Sequence, residues 1–366
     1  MSHDSGTLRI LRLFILLASC ATFCFASQPQ MPHPMAALDL SELLPSVQGD
    51  PTWLTLAFLS ETSIGVGVCQ ADRGPKCSLS VVRWENGSLL RLAHTSEFNP
   101  GASIRAAGDG KILVLQPGLP TVLYSADLST RHELSKQISL VSASGKTVAE
   151  ITPGSWKIYR VTDRLEPVRE GTGNLQSISD SFVAIRSGNV MRVETLEGKQ
   201  LGSFSLPSSG SENISAGLLG DGTLYLDDCR MVRVVNFDGK PQSSMHLEKG
   251  CSRDDTRSST DGKRILFDFA SHKVNGRKHV LESIRTVTTL GMAGAEDVNS
   301  EDVRVFDTVS GGACFNWYRH FPPTYSRLRS AAISPSGEFI AIAADKRFSV
   351  YGVCTGSGTS AITPEK

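Results

Sequence analysis

The chain repeats itself, and that constrains its fold more than any single motif. Met191–Lys199 aligns with Val232–Lys240 at a shift of 41 residues, and the same shift carries Asp180 onto Asp221. A third copy stands at Val303–Gly311. In each copy side chains alternate apolar and polar along a strand that runs into a glycine-containing turn. A second anchor pairs a polar turn with an apolar strand. It occurs at Asp109-Gly110-Lys111, Ser144-Gly145-Lys146, Asp180-Ser181, Asp221-Gly222-Thr223, Asp261-Gly262-Lys263 and Ser336-Gly337-Glu338, with a degenerate copy near Ser60-Glu61.

Seven anchors about 40 residues apart, with several short strands per unit, are the signature of a β-propeller. Thr52 to Gly356 spans 305 residues, or about 44 for each of seven units. The expected fold is therefore all-β: a β-propeller of seven four-stranded antiparallel sheets, with six or eight blades as alternatives. The last unit, Leu328 to Cys354, contains three strands. Ala36 to Val47 is either the fourth strand of that blade or, over Leu38 to Leu44, a short helix.

Ser330–Ala343 reads Ser-Ala-Ala-Ile-Ser-Pro-Ser-Gly-Glu-Phe-Ile-Ala-Ile-Ala, and it resembles the "SPDG" strand-turn-strand of WD40-like bacterial propellers. Val303 to Gly311 is similar to their next strand, with Phe306-Asp307 where Trp-Asp is usual. The resemblance implies a repeat-built scaffold. It brings no catalytic residues, because such scaffolds serve many functions.

Composition narrows the class of partner. Lys and Arg number 37 and Asp and Glu 37, so the formal charge is zero and nucleic acid is not an expected partner. Arg9 and Arg12 precede an apolar run from Leu13 to Phe25 and then a polar, proline-rich stretch, the layout of a secretory signal. That run is shorter than the roughly 20 residues needed to cross a bilayer. The expected organisation is a signal peptide at 1–26, an N-terminal segment at 27–51, the propeller at 52–356 and a flexible tail at 357–366. Cleavage after Ala26 gives a soluble secreted or periplasmic monomer. The lipobox-like Leu17-Ala18-Ser19-Cys20 offers the alternative of a lipoprotein anchored through Cys20.

Beyond residue 26 six cysteines remain, an even number in a compartment that permits disulfides. Cys69 and Cys77 flank a turn between two β-rich runs and form the first expected pair. Cys229 with Cys251 and Cys314 with Cys354 are the other two.

One stretch breaks the repeat. From the Gly222 turn to Arg233 is 11 residues, whereas from the equivalent Gly262 to Arg304 is 42, an excess of 31 within Ser271 to Asp302. Function on repeat scaffolds concentrates in such segments. Arg277, His279, Glu282 and Arg285 are the candidate contacts there, the basic groups for carboxylate or phosphate. Trp317, in the aromatic run Phe315 to Phe321, is the candidate apolar contact, although alternation also suits it to the core. There is no nucleophile elbow, phosphate loop, zinc motif or calcium loop. Asp227-Asp228 and Asp254-Asp255 read as solvated turns. No catalytic residue, cofactor or metal is assigned. The expected function is an exported non-catalytic scaffold for a protein, peptide or glycan. The alternative is a propeller hydrolase or lyase with a site at the central channel.

Overall fold

The computed structural model describes residues 32–43, 51–70, 76–96, 98–134, 136–206, 214–220, 222–228, 230–247, 253–272, 299–321, 329–344 and 346–354. They begin with strand β1 (Ala36–Asp39) and a one-turn helix α1 (Leu40–Leu43). Blade 1 is β2–β5 (Pro51–Phe58, Ser63–Gln70, Lys76–Glu85, Ser88–Thr95) and blade 2 is β6–β9 (Ser103–Ala106, Ile112–Leu115, Val122–Tyr124, Arg131–Glu133). Blade 3 is β10–β13 (Leu140–Val141, Thr147–Thr152, Ser155–Val161, Leu165–Thr172) and blade 4 is β14–β17 (Asn174–Ile178, Phe182–Ser187, Val190–Thr195, Gln200–Ser205). Blade 5 is β18–β21 (Ser215–Leu218, Leu224–Asp227, Met231–Val235, Pro241–His246) and blade 6 is β22–β25 (Arg253–Ser258, Arg264–His272, Asn299–Asp307, Ala313–Phe321). Blade 7 takes β26–β28 (Arg329–Ile333, Phe339–Ala344, Arg347–Gly352) and, on the outside of β28, β1. All pairings are antiparallel, and the protein is a seven-bladed β-propeller.

The repeated turn explains itself chemically. In Ser259-Thr260-Asp261-Gly262 the glycine amide donates to the Ser259 carbonyl, and the glycine sits at φ 73°, a type I turn closed by a left-handed residue. The Ser259 hydroxyl accepts from the Arg264 amide and Asp261 Oδ1 accepts from the Lys263 amide. Ser142-Ala143-Ser144-Gly145 and Ser334-Pro335-Ser336-Gly337 repeat the pattern with serine in place of the aspartate. Neighbouring turns are tied together as well. Both Ser142 and Ser144 donate to the Asp180 carboxylate of blade 4, and Ser336 donates amide and hydroxyl to Glu61 of blade 1.

Strand alternation sends one face of each blade to the preceding blade and the other to the next. Among the described residues the buried apolar side chains accordingly fall into seven clusters, one at each joint. Ile265, Phe267 and Phe269 face blade 5, for example, and Leu266, Val303 and Val305 face blade 7. The joint of blades 7 and 1 includes Leu40 and Leu43 of α1. The segment expected to be either strand or helix is thus both in succession. Ala36 to Asp39 pair with Val350 to Arg347, and the last turn is pinned where Arg91 Nη1 donates to the Leu43 carbonyl at 2.6 Å.

Two disulfides are present among the described residues, Cys69–Cys77 and Cys314–Cys354. The first joins directly opposed residues of β3 and β4, and the second ties blade 6 to the end of blade 7. Cys229 and Cys251 lie outside the described residues. No helix among the described residues is long and apolar enough to cross a membrane.

Candidate functional site at the upper face

Up-and-down blades put the first and third hairpin turns at one end of the ring, and the second turn and the inter-blade connection at the other. The lower end holds the tight turns of the repeat. The upper end holds the Cys69–Cys77 pair, the paired ends of β23 and β24 at His272 and Asn299, and the Asn99–Ala102 connection from blade 1 to blade 2.

The blade 6 segment is narrower than the sequence suggests. β23 and β24 stay paired in unbroken register from Arg264↔Asp307 to His272↔Asn299, so Ser271, His272 and Asn299 to Asp302 are strand residues. Arg277, His279, Glu282 and Arg285 lie outside the described residues. Trp317 is opposite Val303 and only 4% exposed. Its ring packs with Phe315 into the joint of blades 6 and 7 and is not presented to solvent. β23 and β24 each carry a buried carboxylate. Asp268 pairs with Arg329 of blade 7 with both side chains buried, and Asp302 accepts from Arg304 Nε at 2.9 Å.

The channel-side edges of the inner strands are stitched by hydroxyls. Leu56 donates its amide to Ser330 Oγ, Ile104 to Thr55 Oγ1 and Leu218 to Ser177 Oγ. Arginines cap two carbonyls: Arg257 reaches from blade 6 to Leu56 in blade 1, and Arg105 binds the Ile104 carbonyl. Inner strands lack a neighbour on this side, so these contacts satisfy backbone groups that the sheet ladder leaves unpaired.

At the upper rim of blades 1 and 2 two turns stand side by side. Asn99-Pro100-Gly101-Ala102 and Gln116-Pro117-Gly118-Leu119 each place proline second and a glycine of positive φ third (77° and 70°), the type II arrangement. Each closes by an amide-to-carbonyl bond, Ala102 to Asn99 and Leu119 to Gln116. Asn99 Nδ2 donates to Gln116 Oε1 at 2.8 Å and so joins the two first positions. Trp53, third residue of β2, donates its indole N–H to the Ala102 carbonyl at 2.7 Å. It is 38% exposed, whereas Trp84, Trp156 and Trp317 are buried. Sequence reading missed this cluster. The Pro-Gly pairs at 100–101 and 117–118 were the available signal, but a turn signal does not say which turns meet.

Titration offers little chemistry. Carboxylates with resolved shifts are all held below their usual value: Asp127 to about 2 by the Ser125 hydroxyl and then by Ser129, and Asp163 by the Lys111 ammonium. At Asp307 burial pushes the carboxyl up, but the Ser310 amide and Arg264 outweigh it. Asp127, Asp163 and Asp307 lock lower-face turns and are not poised as acids. Tyr159 is pushed up to about 12 by burial and by the Glu150 carboxylate it donates to. No group of three or more metal-capable side chains is found among the described residues.

The fold is a seven-bladed antiparallel ring that carries this paired-turn rim at the upper end of blades 1 and 2. No family model and no curated protein matches the chain. Among solved structures it is similar to Kluyveromyces lactis Hsv2, at 12% identity over 81% of this chain and 90% of that one, with a TM-score of 0.48. Kluyveromyces marxianus Hsv2 gives 8% identity, 83% and 98% coverage and a TM-score of 0.49. The strand pairing, not this likeness, carries the fold assignment.

Proposed function

We propose that this protein is an exported, non-catalytic propeller with a WD40-like repeat whose upper face binds a protein, peptide or glycan. One observation carries the reading: the two strands of blade 6 that end at His272 and resume at Asn299 are joined by the 26 residues 273–298, the longest connection in the ring, while the lower face is closed by tight, cross-linked turns. Arg277, His279, Glu282 and Arg285 supply polar contacts, and the buried Trp317 braces the strands that flank them in sequence. The signal at 1–26 delivers the chain to an oxidising compartment, which suits its disulfides. It is released as a monomer after Ala26 or held by lipid at Cys20. The mass of the mature N-terminal peptide separates these: a free Ser27 supports release, and a diacylated Cys20 supports anchoring.

Capture from envelope extract tests the binding role. Wild-type protein is compared with a variant in which 273–298 is replaced by a short turn joining His272 to Asn299. A partner retained only by wild type is expected. Equal retention by both removes the segment from the site.

A further inference from the structure

We propose that Trp53, Asn99 and Gln116 form a binding site for an uncharged sugar residue of a glycan at the upper rim of blades 1 and 2. The inference rests on the binding-scaffold reading for its biological setting, but not on the 273–298 segment.

Trp53 offers an exposed ring that cannot turn away, because its N–H is fixed to Ala102. A flat, immobile indole beside polar groups is the surface on which the C–H face of a pyranose stacks. Those polar groups are amides. Asn99 spends one side-chain N–H on Gln116 Oε1, which leaves Asn99 Oδ1 and the Gln116 Nε2 hydrogens as an acceptor and donors for vicinal hydroxyls. One unbroken chain of hydrogen bonds runs from Trp53 through Ala102, Asn99 and Gln116 to Leu119. The geometry therefore exists before any ligand arrives, which lowers the entropy lost on binding.

The two turns themselves favour a neutral ligand. Residues 98–104 and 115–122 contain no Asp, Glu, Lys, Arg or His, so nothing within these turns recognises an ionic group. Pro100, Pro117 and Pro120 have no N–H, so an incoming peptide strand finds no ladder to join. Leu119, whose amide closes the second turn, is 48% exposed and adds a further apolar side chain to this rim.

The test is calorimetric titration of the mature protein with cellohexaose, chitohexaose, maltohexaose and, as a rival, decaproline. At least one of the three sugars is expected to bind. Trp53→Ala is expected to weaken it at least about tenfold, the scale of an anchor truncation. Asn99→Ala is expected to weaken it several-fold, and removal of 273–298 to leave it unchanged. Trp53→Ala also removes the bond to Ala102, so Trp53→Phe provides a second reading: the ring face survives and most of the affinity should too. Binding of none of the sugars overturns the proposal, as does equal binding by folded Trp53→Ala. Binding of decaproline alone overturns the glycan assignment. Loss of sugar binding only on removal of 273–298 moves the site to blade 6, overturning this proposal while sparing the wider reading.

Discussion

Gly145 shows how one residue serves both turn and ring. Its φ of 72° lies in the left-handed region, and a Cβ added there would meet the Ala106 carbonyl oxygen of blade 2 at 1.8 Å. Gly154 has a similar φ of 81° but nothing within 4 Å of the same position. Gly154→Ala is therefore expected to cost only about 1–2 kcal/mol of backbone strain. Gly145→Ala should cost clearly more, because blade 2 must shift as well. Urea unfolding of the two variants measures the difference, and equal losses would show that the blades give way freely there. The buried pair Asp268–Arg329 makes a second residue-scale case. Arg329→Met alone should cost about 3–5 kcal/mol by leaving Asp268 charged in the joint. Adding Asp268→Leu should recover much of that, a coupling a double-mutant cycle reads directly. The anchor glycines were legible from their spacing, since a left-handed position leaves a compositional mark. The ion pair was not, because its partners sit on different blades and no local pattern links them.

At the scale of elements, the expected disulfides and the strands they join differ in reach. Cys314–Cys354 closes a separation of 40 residues and Cys69–Cys77 one of 8. Chain entropy alone assigns about 4 kcal/mol to the longer loop and about 2.5 kcal/mol to the shorter. Replacing Cys314 and Cys354 by serine is thus expected to lower the melting temperature more than replacing Cys69 and Cys77. The reverse order would show that the buried hairpin pair matters through packing. The hairpin pair was legible because its cysteines flank a turn. The longer pair required the blade period, which brings residues one repeat apart into neighbouring sheets. The extension of β23 and β24 to His272 and Asn299 was not legible, because the polar ends of long strands read like loop. The Trp53 rim was invisible for another reason: its two turns belong to different connections, and only the ring geometry makes them neighbours.

For the whole molecule, the titrating groups set a pH window. Asp163, Asp261 and Asp307 all lie below their usual 3.8 in the folded protein, with Asp127 at about 2. A carboxylate with a depressed folded value contributes stability above its unfolded value, and loses it as pH falls through the folded one. Stability should therefore decline from about pH 4 downward, as lower-face turns lose their charged acceptors while the 37 basic residues stay charged. Tyr159 acts at the other end: raised from 10 to about 12, it contributes stability that is present below 10 and lost as pH climbs toward 12. A plateau between about pH 4 and 10 follows, bounded by two separable chemistries. Asp307→Asn should flatten the acid limb and leave the alkaline limb unchanged, because the amide can still accept from Val309 and Ser310 but no longer titrates. Tyr159→Phe should do the converse. Urea midpoints from pH 2 to 11 for the three proteins decide the matter. An acid limb unaltered by Asp307→Asn would place acid sensitivity in other carboxylates and detach it from the turns that join the blades.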